Sequence, residues 1–388
     1  MRRYFVPVVL SALLASACSQ KEIDFSAPFF CWGDTEISYG REATLSYFDL
    51  DPEDAFIYSA WKGETVNAAA VICTPSGHVE KGVTVQAGPL RKGLRTIPAD
   101  CVKAEFVGFV KGDELLEGYG QCGYRDTTVN KVMEAPDLIG FADKVDMEGL
   151  SQQMVWLSVK VPADAAPGRY RGSLILDSET MPAPKTLEYV LTVVDRVLPD
   201  PSEWTFHLDL WQNPYSVARV AGVPLWSEEH FQALKPVMSL LASAGQKVVT
   251  TTIMDRPWNG QTEDPFGPMV TKTRCTDGSW TYDYSIFDKW VEFMESVGID
   301  SQINCYTMIP WDLTFDYVDQ ASGTVRHERM DPGSDEYAEY WGSFLKDFAA
   351  HLKARGWFVD EYIILAAGES LKRGEQRAAL FVHGIGEL

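Results

Sequence analysis

From Ile23 to Val197 apolar residues come in short runs, several of them alternating with polar ones, and turn residues separate the runs. Residues 68–72, 83–85, 102–107, 154–161 and 187–194 read as β-strands with one face buried. Between Val161 and Leu174 the pair Pro167-Gly168 turns one run into the next, as expected where antiparallel strands hand over. The pattern predicts a β-sandwich over residues 40–199.

Beyond Pro199 and Pro201 the period lengthens. A strand is predicted over 204–210, then a helix capped by Ser227, with Glu228 and Glu229 in its first turn, running to Leu241. Residues 247–254 read as the next strand. Ser285 is read as the cap of a helix that carries Phe287, Trp290, Val291 and Met294 on one side, and a third strand follows over 300–306. The last helix, 334–355, repeats Tyr337, Trp341, Phe344, Leu345, Phe348 and Leu352 at three- and four-residue steps before Gly356 and a strand at 362–365. Four strand–helix units build a parallel sheet. The predicted fold class is multidomain: an N-terminal antiparallel β-sandwich followed by an α/β barrel of the (β/α)8 TIM type. The barrel, over 200–370, is incomplete, since a whole one takes about 250 residues. An open doubly wound sheet is the alternative, although no G-x-G-x-x-G phosphate loop is present.

The first residues have a different purpose. Arg2 and Arg3, an apolar stretch over 4–14 and Ala15-Ser16-Ala17 form an export signal over 1–17, and the next residue is Cys18. That arrangement resembles a bacterial lipoprotein signal, so lipidation is expected at Cys18, with 18–39 as tether; ordinary secretion with an incidental cysteine is the alternative. The expected location is a membrane surface, periplasmic or outward-facing, with membrane contact only through the anchor.

Among 388 residues, Asp+Glu 55 exceeds Lys+Arg 34, and the net charge of −21 repels phosphate backbones, which excludes nucleic-acid binding as a working assumption. Six cysteines follow Cys18 without a C-x-x-C pair, which argues against structural zinc. Cys101 with Cys122 is one conceivable disulfide, and buried free thiols are the other reading.

His207, Asp209 and Trp211 alternate along the 204–210 strand and its end, with Gln212 in the adjoining loop, so the strand period aims them to one side. They are candidate pocket residues; a hydrogen-bonded pair filling the interior is the competing reading. A metal on His207 and Asp209 would need further ligands, and no other histidine lies at a comparable strand end. Trp258 follows the second strand, and Tyr306 and Trp311 the third. Flat rings near carboxylates and amides suit a sugar, with its apolar C–H face and rim of hydroxyls. The alternative is that Trp258 and Trp311 pack long loops.

The run His207-Leu208-Asp209-Leu210-Trp211-Gln212-Asn213-Pro214, the Asp255-Arg256-Pro257-Trp258 turn, Trp280-Thr281-Tyr282-Asp283-Tyr284-Ser285, and Tyr340-Trp341 through Gly356-Trp357-Phe358 resemble glycoside hydrolase family 123. Ala60-Trp61-Lys62-Gly63-Glu64-Thr65 and the Val161 to Gly172 stretch resemble that family's N-terminal sandwich. The resemblance spans about residues 40–363. It implies an exo-acting β-N-acetylgalactosaminidase with neither metal nor cofactor, whose partner is a glycan or glycolipid with terminal GalNAc. It also implies substrate-assisted retaining catalysis, with an Asp orienting the acetamido group and an adjacent Glu as acid. The family places Asp-Glu-Arg-Pro at the end of the fourth strand, where this chain has Ala366-Ala367; a two-residue shift brings Glu369 into place as candidate acid. Asp360-Glu361 precedes the strand, at its other end. The tail over 371–388 offers no further strand and reads as out of frame, so the expectation is a truncated barrel with a broken dyad. A non-catalytic carbohydrate-binding surface lipoprotein is the second functional reading, and a metal-dependent barrel hydrolase the third.

Overall fold

The computed structural model describes residues 27–42, 56–113, 120–121, 124–125, 128, 132–357 and 364–365. The export signal, Cys18, Cys122, Asp360-Glu361, Glu369 and the 371–388 tail lie outside them. The chain forms two compact units, residues 1–119 with 126–198, and 120–125 with 199–388.

The first unit is built from two sheets. In one, the strands lie in the order Phe29–Gly33, Thr65–Thr74, Ser151–Lys160, Val102–Asp113, Val132–Ile139. In the other the order is Val145–Met147, Glu80–Ala87, Gly168–Asp177, Lys185–Val197, Phe56–Lys62, with the last pair parallel. The unbroken apolar run from Ala68 to Cys73 follows from the strand period. Ala68, Ala70 and Ile72 enter the core shared with the second sheet, whereas Ala69, Val71 and Cys73 face a smaller cluster with Phe29, Cys31, Tyr39, Val107 and Met154. Both faces of this strand are dry. Cys31, Cys73, Cys101, Cys275 and Cys305 are free thiols, and burial pushes the Cys31 thiol up to about 12, leaving it an inert apolar filler.

The second unit holds, among the described residues, all four α-helices: α1 (Pro214–Ala221), α2 (Glu228–Ser243), α3 (Ser285–Ser296) and α4 (Asp335–Arg355). The Ser227 and Ser334 hydroxyls cap α2 and α4 by accepting from His230 N and Tyr337 N, both at 3.2 Å. Gly356, at φ 75°, ends α4 in the left-handed conformation that glycine adopts without strain. Phe287, Trp290, Val291 and Met294 of α3 pack with Tyr340, Trp341, Phe344 and Phe348 of α4 in one aromatic core.

The barrel expectation is overturned. Among the described residues, the parallel sheet has three strands, in the order Val248–Thr252, Gln302–Tyr306, Ile364–Leu365, and does not close. Beside it stands a separate four-stranded sheet, Trp280–Asp283, Thr271–Arg274, Thr314–Asp319, Thr324–Arg329. The two long loops expected after the second and third strands are thus largely two β-hairpins, which pair in parallel at Thr273 and Val318. The strand expected over 204–210 contributes a single bridge, Leu208 to Gln246. Strand–helix alternation is a property of any parallel sheet, whereas closure depends on strand number and stagger, which no local pattern encodes. Among the described residues strands predominate over helices.

Candidate functional site

Three of the sequence candidates meet beyond the carboxyl ends of the Val248–Thr252 and Gln302–Tyr306 strands. Trp211 stacks on Trp258 with ring centroids 4.9 Å apart and planes at 26°, and Tyr306 lies 4.9 Å from both. Trp258 and Tyr306 are 8% and 5% exposed, while Trp211 is 54% exposed, so the cluster is rooted in the core and presents an open indole to solvent. Phe266 backs Trp258 edge-on at 5.0 Å. Trp311 stands apart from the ring cluster: it is 40% exposed, and its backbone N–H donates to the Pro257 carbonyl at 3.2 Å, joining two loops.

The approach of Trp211 depends on two buried glutamines. Gln246 Oε1 accepts from Leu210 N at 3.0 Å, and its Nε2 donates to the carbonyls of Leu210 and Val248. Gln212 Nε2 donates to the same two carbonyls, and its Oε1 accepts from Thr250 N at 2.8 Å. Side-chain amides thus do what a backbone ladder does elsewhere, and this is why residues 204–210 lie along the sheet without becoming a strand. Gln212, expected to bind a ligand, is instead committed to backbone.

Asp209 and His207 differ in exposure. His207 is exposed. Asp209 Oδ2 accepts from Asn304 Nδ2 at 3.0 Å, whereas Oδ1 is buried and finds no partner among the described residues. Asn304 was missed by the sequence reading. The available signal was the alternation of Gln302, Asn304 and Tyr306 along one strand, which gives that face a polar row; Gln302 in turn donates to Asn304 Oδ1 at 2.7 Å. Burial pushes the Tyr306 hydroxyl up to about 12, with the Asp209 charge adding to it, so it stays a neutral donor.

Burial also raises the Asp209 carboxyl above the usual aspartate range, while the charge of His207 and the Asn304 amide pull it down. A carboxylate raised in the folded state destabilises the fold when ionised. That penalty is full above the folded-state pKa and vanishes below the unfolded one. Asp209→Asn is therefore expected to raise the melting temperature at neutral pH, by an amount that shrinks as pH falls through the acidic range. An unchanged or lower melting temperature at neutral pH would show that the contacts of the charged form outweigh its burial.

The sequence pattern assigns no element to α1, which supports the site. Its signals are Asn213, whose Oδ1 accepts from Tyr215 N at 3.1 Å, Pro214 at the first position and Gly222 beyond the end. From this helix the Tyr215 hydroxyl donates to Gly267 O at 2.7 Å, and Arg219 grips Asp264 through Nε at 2.8 Å. These contacts hold the loop that carries Trp258 and Phe266. Among the described residues no group of three His, Cys, Asp or Glu side chains is placed to hold a metal ion.

The arrangement provides an apolar platform beside a carboxylate with one uncommitted oxygen, which matches a ligand that combines C–H faces with hydroxyl or amide donors. The sequence profile of the glycoside hydrolase 123 catalytic domain matches residues 211–382, and that of the glycoside hydrolase 123 N-terminal domain matches residues 32–178. Among solved structures, a family 123 glycoside hydrolase from Clostridium perfringens, studied for the details of glycolipid glycan hydrolysis, superposes with a TM-score of 0.78 at 26% identity over 86% of this chain. The chain spans 57% of the length of that structure. A protein that catalyses macrocyclization in alchivemycin A biosynthesis is 9% identical, with a TM-score of 0.22 over 36% of this chain and 87% of its own. The CooA pilin subunit from enterotoxigenic Escherichia coli is 18% identical, with a TM-score of 0.20 over 40% of this chain and 99% of its own. Likeness at that level carries no argument. Among curated protein sequences, none matches the chain.

Proposed function

The chain belongs to glycoside hydrolase family 123, and from that premise we propose that it is a glycoside hydrolase acting on glycans that end in β-linked N-acetylgalactosamine. The observation that carries the reading is the meeting of Trp211, Trp258 and Tyr306 with the Asp209–Asn304 pair. The rings take the apolar face of a pyranose, and the Asp209–Asn304 pair behind them supplies the polar part of the face. Gln212 supports this face through the backbone, its Oε1 accepting from Thr250 N.

In the proposed chemistry the substrate supplies its own nucleophile. The carbonyl oxygen of the 2-acetamido group attacks the anomeric carbon as the bond to the leaving oxygen breaks, and Glu369 donates its proton to that oxygen. The intermediate is an oxazolinium ion that keeps its N–H, and Glu369, now a carboxylate, takes a proton from water as the water opens that ring at the same carbon. The product keeps the β configuration. Residues 2–18 support export and lipid attachment at Cys18 as part of the same proposal, which puts the site where glycolipid headgroups lie.

The test is incubation of the full chain with a β-GalNAc-terminated oligosaccharide and with its β-GlcNAc counterpart, following sugar release by mass and anomeric configuration by proton NMR. Release of β-GalNAc first, with a thiazoline analogue of the oxazoline as competitive inhibitor, is the expected result. Binding by calorimetry without release would replace hydrolysis by carbohydrate binding, the reading that Ala366-Ala367 at the dyad position favours. Absence of both binding and release would overturn the proposal.

A further inference from the structure

The side sheet carries a charged group where the local pattern calls for an apolar one. Lys272 is 1% exposed, and its side chain lies over the rings of Tyr340 and Phe344, with Nζ 5.6 and 5.4 Å from their centroids. Nζ donates to the Ile253 carbonyl and lies 3.9 Å from Asp316 Oδ1. Asp316 is itself buried, and the same Oδ1 accepts from Asp255 N at 2.8 Å. Across the hairpin, His327 pairs in register with Asp316, and its Nε2 lies 3.1 Å from Asp255 Oδ2. Three neighbouring strands therefore grip residues 253–255, a few residues before Trp258.

Burial pushes the Lys272 ammonium below the usual lysine range, while Asp316 and Asp255 pull it back up. For stability alone, an unbranched apolar side chain would fill the same space between Tyr340 and Phe344 without losing hydration. What such a chain lacks is a donor for the Ile253 carbonyl and a counter-charge for Asp316. Arg256 and Asn259, with φ of 46° and 53°, hold left-handed conformations on either side of Trp258, and a turn of that kind keeps its shape only when its surroundings impose it.

We infer that Lys272 and Asp316 are positioning residues that hold the 255–259 turn, and with it the Trp258 ring, at the glycan face. The inference rests on the reading of that face as the sugar platform. Neither residue touches the ring cluster; both act through the backbone of Ile253 and Asp255.

The test uses the full chain as Lys272→Met, which keeps length and apolar contact, and Asp316→Asn, which keeps an acceptor for Asp255 N–H but removes the lysine's counter-charge. Amide hydrogen exchange at Asp255, Arg256 and Asn259 is expected to quicken about tenfold in Lys272→Met while α3 is unchanged. Calorimetric titration with a β-GalNAc-terminated oligosaccharide is expected to show the Kd raised about tenfold at unchanged stoichiometry. A residue serving only the core would instead lower the fraction of binding-competent protein at constant Kd. Exchange that quickens equally at the turn and in α3, or stoichiometry that falls at constant Kd, overturns the inference. If Lys272→Met fails to fold, Asp316→Asn decides by the same two readouts. A wild-type chain that binds no such glycan removes the platform reading, and the exchange measurement then decides separately whether the pair holds the turn.

Discussion

Trp258→Ala is expected to abolish measurable glycan capture and to lower the stability of the second unit together. The ring lies between Trp211, Tyr306 and Phe266, with centroids 4.9, 4.9 and 5.0 Å away, so its removal opens a cavity that three aromatic rings must either line or fill. Aromatic-to-alanine changes in cores cost about 3–5 kcal/mol. Trp211, half-exposed, is free to collapse inward, which places the expected cost toward the lower end and at the same time removes the open indole from its place. Both halves of the platform are lost by one substitution. Trp211→Ala is the companion: it removes ring area from the glycan face with little buried packing, so its melting temperature should stay near wild type while the Kd rises about tenfold, or about 1.4 kcal/mol. Calorimetric titration and thermal scans of both variants separate the effects. Undiminished glycan affinity in Trp258→Ala would remove the ring cluster from the site altogether.

Trp290→Ala is expected to have the largest effect on stability. The side chain is fully buried in α3, and its Nε1–H donates to the Thr250 carbonyl at 2.9 Å, tying the helix to the middle of the Val248–Thr252 strand. Alanine leaves a large cavity, costing about 3–5 kcal/mol. It also leaves a buried carbonyl without its donor, which adds about 1–3 kcal/mol. Against a total stability of about 5–15 kcal/mol, that loss brings the second unit close to unfolding. The first unit keeps its own core around Leu157, Leu174 and Leu191. Differential scanning calorimetry should therefore show one transition moved far down and another little changed. A single transition shifted by only a degree or two would mean that the α3–α4 core does not govern the second unit.

Much of this architecture was legible along the chain. α2 and α4 carry the serine caps that the sequence predicts, whereas α3 begins at Ser285 behind Tyr284 with no side-chain cap; in all three the buried residues recur at helical spacing, so local signals suffice. The ring cluster was approachable too, because Trp211, Trp258 and Tyr306 each follow a recognisable apolar segment. The side sheet was not. Thr324–Arg329 is exposed throughout and polar but for Val325, and Thr271–Arg274 buries a lysine where the strand period calls for an apolar residue, so hydrophobic patterning passes over both. Residues 204–210 misled in the opposite direction, reading as a strand because they alternate; yet glutamine side chains 2 and 36 residues from Leu210 take the place of the backbone ladder.

By itself, then, the sequence determined the change of period near Pro199, the places of the capped helices, the aromatic residues of the candidate site and the family to which they point. Tertiary structure alone decided that the parallel strands form an open three-stranded sheet rather than a barrel, and that two loops pair as a second sheet. It also decided that Asp209 meets Asn304 and that Lys272 is buried against Asp316. The physical reason is range. Helix periodicity and capping are satisfied within a few residues, so their signals are written locally. The burial of a polar group is tolerated only because of partners supplied by segments far along the chain, 95 residues away for Asp209, and those partners are neighbours only after folding.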